Sequence, residues 1–220
     1  MSPGRGPDLS TPGRRLFVAV PLGAAAAQAI AALVEGVRAT DGTAVAGPGR
    51  HGHDVRWVRL DALHLTIRFL GPTPEDQVSA GAKAVGEIAA ATPPFDVELS
   101  GAGAFPSPER PRVLWIGVAT GTTELERLAA AANERLATLG WPVDERPYRA
   151  HLTLARSDGV RAGPRLAKRL VAAAEGLSIG WRAERLVLFE SITGGGPARY
   201  IPLTEVPLGT VSETVLGGAR

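Results

Sequence analysis

Cysteine is absent from the sequence, which excludes disulfides, thiolate metal sites and a cysteine nucleophile and agrees with a reducing compartment, the cytoplasm. Lysine is almost absent as well: Lys83 and Lys168 aside, the positive side chains are arginines, whose planar fork suits phosphate oxygens. Aromatic residues make up 5% of the chain and the formal net charge is +2, so neither a base-stacking platform nor a dense basic stripe is legible. GxGxxG and GxxxxGK[ST] are both missing, and Gly194-Gly195-Gly196 lacks the lysine and following helix of a phosphate cradle. Long apolar runs are missing too. Arg14-Arg15-Leu16-Phe17 leads into an alanine-rich stretch reaching Val34 that superficially resembles a twin-arginine export signal or a membrane span. Pro21, Gly23 and Gln28 interrupt it, and the pattern reads instead as strand, turn and helix, so no membrane partner is expected.

At 220 residues, 45% hydrophobic and 21% charged, the chain has the composition of a globular protein with a substantial core. Residues 1–13 read as a disordered leader, 14–206 as the folded domain and 207–220 as a tail. The pattern predicts strands at Leu16–Val20, from Val55, at His64–Leu70 (closed by Gly71-Pro72), Phe95–Ser100, Val113–Val118, His151–Leu154, Arg185–Ser191 and Tyr200–Val206. Helices are predicted over Leu22–Arg38, from Pro74 or Glu75 to Ala91, and over Thr123–Leu139 and Arg165–Ala174. Thr40–Asp54 reads as a glycine-rich loop, Gly101–Pro111 as a turn-rich connector and the Gly194 run as a hairpin tip. Short strands mixed with helices and joined by hairpin-length links indicate an antiparallel α+β fold.

Two of the four histidines open the same pattern, His64-Leu65-Thr66-Ile67 and His151-Leu152-Thr153-Leu154. Residues i and i+2 of a strand share a face, so each copy aims an imidazole and a hydroxyl together while its leucine points into the core. Two such strands side by side would surround one pocket with two histidines and two threonines. In-line substitution at phosphorus needs that arrangement: one group takes a proton from the attacking water and another protonates the departing oxygen. Imidazole does either near neutral pH, and the hydroxyls of Thr66 and Thr153 would donate to nonbridging oxygens as they gain charge. A single His-x-Thr is ordinarily structural; the repeat is what argues for function. No Asp/His cluster stands at ligand spacing, so neither metal nor other cofactor is expected, and His51 and His53 read as solvated loop residues. Arg68 has the parity of Thr66 and could reach substrate.

The doubled HxTx pattern resembles the 2H phosphoesterase superfamily and, within it, the RNA 2′,3′-cyclic phosphodiesterases of the 2′-5′ RNA ligase family. The likeness extends to Arg15-Leu16-Phe17-Val18-Ala19-Val20, Trp57-Val58, Arg68-Phe69-Leu70-Gly71, Phe105-Pro106-Ser107-Pro108, Arg110 to Gly117, Arg146-Pro147-Tyr148 and Ala155-Arg156. This resemblance implies a bilobal fold, two pseudo-symmetric lobes with antiparallel sheets flanked by helices around a central cleft. It implies hydrolysis of RNA 2′,3′-cyclic phosphate ends, or of small cyclic nucleotides, to 2′-phosphomonoesters; a monomer is expected. His64 is then the general acid, His151 the general base and Arg156 a phosphate ligand, although simple strand parity turns Arg156 away from His151. The alternatives are 2′-5′ ligation of RNA by the same site and a noncatalytic RNA-binding module.

Overall fold

A computed structural model of the chain describes residues 13–39, 55–157, 163–194 and 198–209. Most of the leader, the loop carrying His51 and His53, most of the Gly194 run and most of the tail lie outside these residues. The elements are β1 (Arg14–Pro21), α1 (Ala24–Ala39), β2 (Val55–Trp57), a 3-10 turn at Leu60–Ala62, β3 (His64–Thr73), α2 (Glu75–Ala90), β4 (Phe95–Phe105), β5 (Val113–Thr120), α3 (Thr122–Thr138), β6 (His151–Ser157), α4 (Gly163–Ala173), β7 (Ile179–Ala183), β8 (Arg185–Ile192) and β9 (Arg199–Pro207). Arg14-Arg15 and the apolar residues after them thus form a strand, and among the described residues no helix is long and apolar enough to cross a membrane.

The expected pair of sheets is one antiparallel sheet in the order β7-β4-β5-β6-β3-β1-β8-β9, with β2 added to β6. Its two halves mirror each other about the centre: β3, β1, β8 and β9 on one side correspond to β6, β5, β4 and β7 on the other. The join is narrow, because β3 and β6 pair at Leu65↔Leu152 alone. Both leucines are fully buried, and β2 pairs with β6 farther along, at residues 155–157.

Each half carries a helix pair on its outer face. α2 and α3 cover the β3/β8/β9 side, and α1 and α4 cover the β4/β7 side. Their buried stripes follow helical spacing: Ile30, Val34 and Val37 on α1, Val85, Ile88 and Ala89 on α2, Leu125, Leu128, Ala132 and Leu136 on α3, and Leu166, Ala167 and Leu170 on α4. Glu75 and Asp76 in the first turn of α2 oppose the helix dipole. β1 is central, flanked by β3 and β8, so Leu16–Val20 is buried without alternation.

Four strands depart from expectation, and one of them is β6, which runs past Leu154 to Ser157. β3 runs through Gly71-Pro72 to Thr73, since Leu16↔Gly71 and Arg15↔Pro72 keep it paired with β1. β4 continues through the expected connector to Phe105: Gly101, at φ 64°, sits where the register shifts between Ser100 and Ala102, and pairing with β5 then resumes. β7 was not legible as a strand; its five residues hold onto β4 as the edge of the sheet.

Candidate active site

The pairing Leu65↔Leu152 fixes the geometry of the centre. In an antiparallel ladder the residue after one partner faces the residue before the other, so His64 lies across from Thr153 and His151 across from Thr66, about 5 Å apart between directly opposite Cα positions. The pseudo-twofold axis passes between the leucines. All four polar side chains lie on the face away from the core and line a cleft of about 1460 Å³.

The two histidines are held alike. His64 Nδ1 lies 2.8 Å from the carbonyl oxygen of Ala62, and His151 Nδ1 lies 2.7 Å from that of Arg149, two residues upstream in each case. A carbonyl only accepts, so Nδ1 carries the hydrogen in both rings and Nε2 is the atom left to exchange a proton with a ligand. Burial lowers the pKa of each imidazole and the carbonyl opposes that shift; for His151 the Arg156 guanidinium lowers it further.

Arg156 reaches the cleft despite its parity. β5 pairs Leu114 with Ala155 and Trp115 with Thr153, so Leu154 is an extra residue, a bulge on β6. Leu154 and Ala155 are both buried, and Arg156 is returned to the face of His151, where it lines the cleft. β3 repeats the device: β1 pairs Val18 with Arg68 and Ala19 with Thr66, skipping Ile67. Position for position, the counterpart of Arg156 is Phe69, which is 51% exposed and lines the cleft.

Arg68 also borders the cleft, and its two terminal guanidinium nitrogens are bonded within the protein. It donates to the carbonyls of Phe69 and Pro142 and lies 3.7 Å from Asp144. Those contacts tie down the 142–149 segment. There Tyr148 is half-buried and donates to the Thr66 carbonyl at 3.1 Å, while Arg146 holds the Asp144 carboxyl well below the usual carboxylate range. Arg68, expected as a substrate contact, thus borders the cleft with its two terminal guanidinium nitrogens bonded to backbone carbonyls and Nε without a partner among the described residues.

Aromatic residues that the sequence did not assign to the site surround both histidines. Phe17 lies 4.9 Å from the His64 ring and 5.3 Å from Phe189, and Tyr200 stands edge-on to His64 at 5.1 Å. On the opposite side Phe105 stands edge-on to His151 at 5.2 Å. Phe17 and Phe189 are directly paired across β1 and β8, a contact that becomes visible only once strand order is known. Among the described residues no cluster of three His, Asp or Glu side chains could hold a metal ion.

A family profile described as the 2′-5′ RNA ligase superfamily matches residues 21–195. A stretch of 119 residues is 37% identical to the RNA 2′,3′-cyclic phosphodiesterase of Aeropyrum pernix, covering 54% of this chain and 66% of that one. A stretch of 140 residues is 33% identical to the protein of the same name from Geobacillus stearothermophilus, covering 64% of this chain and 41% of the relative. These alignments therefore span less than two thirds of either relative. The crystal structure of E. coli LigT complexed with 3′-AMP superposes with a TM-score of 0.64 at 25% identity, over 90% of this chain and 99% of the other.

Proposed function

The chain belongs to the 2′-5′ RNA ligase superfamily and has the 2H phosphoesterase fold, and from that premise we propose that it hydrolyses RNA 2′,3′-cyclic phosphate ends to 2′-phosphomonoesters. In this reading His151 Nε2 takes a proton from water as the water oxygen bonds to phosphorus. The bond from phosphorus to the 3′-oxygen breaks, and protonated His64 gives that oxygen its Nε2 proton. Thr66, Thr153 and Arg156 donate to the nonbridging oxygens, where charge grows in the transition state. No step passes through a metal.

The observation that carries the reading is the matched pair of histidines about the Leu65↔Leu152 junction, each with Nδ1 on a carbonyl and Nε2 available. Names of relatives support the substrate class: the proteins of A. pernix and G. stearothermophilus are both called RNA 2′,3′-cyclic phosphodiesterase. The family description favours a second reaction at the same site, attack by a 5′-hydroxyl in place of water to give a 2′-5′ linkage. At the concentration of water, hydrolysis dominates.

The test is turnover of an RNA oligonucleotide ending in a 2′,3′-cyclic phosphate in excess chelator. The wild type forms the 2′-phosphate alone, and His64→Ala and His151→Ala each lose at least about two orders of magnitude, the size of a general acid or base contribution. An inert wild type, or variants as active as it is, would sink the reading and favour a binding module.

A further inference from the structure

The two halves of the cleft match at the histidine, the threonine and the bulge, so their differences mark what the symmetric machinery does not supply. The largest is on the outermost strands. β9 pairs with β8 along its length, Ser191↔Tyr200 included, and this carries Tyr200 over the His64 side of the cleft. Its counterpart β7 meets β4 only over Phe95–Leu99, far short of Phe105, so it places no residue over the His151 side as β9 places Tyr200 over the other.

The Tyr200 ring is fixed from two directions. It is edge-on to His64 at 5.1 Å with an interplanar angle of 88°, and edge-on to Phe17 at 5.1 Å and 78°. Those contacts belong to the ring. The hydroxyl makes no hydrogen bond among the described residues, and the half-buried side chain borders the cleft. A donor that borders the cleft with no protein partner can exchange water for a ligand oxygen without giving up a bond to the protein. The bulge at Leu154 turns Arg156 toward the same space, and its positive charge is felt by the Tyr200 hydroxyl on one side of the cleft and by His151 on the other.

Resting on the phosphodiesterase reading above, we propose that Tyr200 is a further substrate-binding residue, its hydroxyl donating to the phosphoryl group that Arg156 holds. The ring keeps the His64 imidazole in its plane, and the phenol spans from the leaving-group side to the phosphate. The contact couples the general acid to the position of phosphorus, which a symmetric pair of HxTx strands cannot do alone. The more numerous aromatic neighbours of His64 also mark its side as the place for the ribose that keeps the freed 3′-oxygen, whereas the His151 side, with Val113 and Arg156 in the positions of Phe17 and Phe69 and Phe105 alone against the imidazole, leaves room for water.

The experiment compares the wild type, Tyr200→Phe, Arg156→Gln and the double variant on RNA ending in a 2′,3′-cyclic phosphate, together with competitive inhibition by inorganic phosphate. Phenylalanine keeps the ring contacts, so an unchanged melting temperature is expected. Tyr200→Phe should lower kcat/KM by about ten- to a hundredfold, the range for a hydrogen bond to a charged group, and weaken phosphate inhibition. The double variant should lose less than the product of the single losses, because both donors act on one group. Wild-type turnover by Tyr200→Phe, or a loss that multiplies with that of Arg156→Gln while phosphate inhibition is unchanged, overturns the assignment. An inert wild type overturns the phosphodiesterase reading on which it rests.

Discussion

At His64 and His151 the same hydrogen bond is set in different electrostatic surroundings, and the consequence can be read in a pH profile. Burial brings both imidazoles below their ordinary value, about 6.5, and Arg156 lowers His151 further. A general base works when neutral, so the acid limb of kcat/KM should lie below about 6.5. In the proposed mechanism His64 works when protonated, so its lowered pKa should bring the basic limb of kcat/KM down as well. Once the phosphodiester anion is bound it favours the imidazolium, and the basic limb should move to higher pH in kcat than in kcat/KM. Arg156→Gln removes the charge facing His151, raises that imidazole and moves the acid limb upward. An acid limb that stays in place in this variant would mean that Arg156 does not act on His151. The histidines and threonines were legible because a strand has period two and the motif occurs twice. Arg156 was not, because one extra residue reverses parity and nothing in Leu154-Ala155 announces a bulge.

The elements owe their placement to a few close approaches that residue periodicity does not report. β4 read as ending at Ser100 because Gly101 and Gly103 look like turn residues, yet each has a structural task within the strand. Gly101 accommodates the register shift with a positive φ, and Gly103 lies beneath the indole of Trp115, where an added Cβ would fall 2.4 Å from the ring. Trp115 pairs with Thr153 across β5 and β6, so the indole backs the strand that carries His151. Gly103→Ala must displace it. The expected outcome is a loss of about 1–3 kcal/mol, the ordinary size of overpacking, measured by denaturant unfolding, with a drop in turnover as Thr153 shifts. A variant of wild-type stability and activity would show that Trp115 yields without moving β6. β7 escaped notice for a related reason: Ile179-Gly180-Trp181-Arg182-Ala183 is short, and its pairing with β4 rather than its own composition makes it a strand.

In the whole molecule the chain passes between the halves repeatedly. β1 belongs to one half, α1 packs on the other, β3 and α2 return to the first, and β8 and β9 close it after β4 to β7 have been laid down. Neither half is a continuous segment, so a single cooperative unfolding transition is expected. Charge is distributed with similar economy. Arg14, Arg135, Arg182 and Arg185 pair with Glu190, Glu87, Asp96 and Glu205, and Asp144 takes both Arg68 and Arg146. At the cleft Arg15, Arg149 and Arg156 make no ion pair among the described residues. With a net charge of only +2, attraction of the proposed RNA substrate would come from these local cations rather than from the overall field. Each phosphate neutralised on a single strand contributes about −0.7 to the slope of log affinity against log salt. For one to three contacts the slope of log kcat/KM for an RNA oligonucleotide should therefore lie between about −0.7 and −2, and Arg15→Gln and Arg149→Gln should each flatten it. A mononucleoside 2′,3′-cyclic phosphate, which has no upstream phosphates, should show the shallow end of that range and respond to Arg156→Gln alone. Steeper slopes that survive these substitutions would require a phosphate-binding surface outside the cleft.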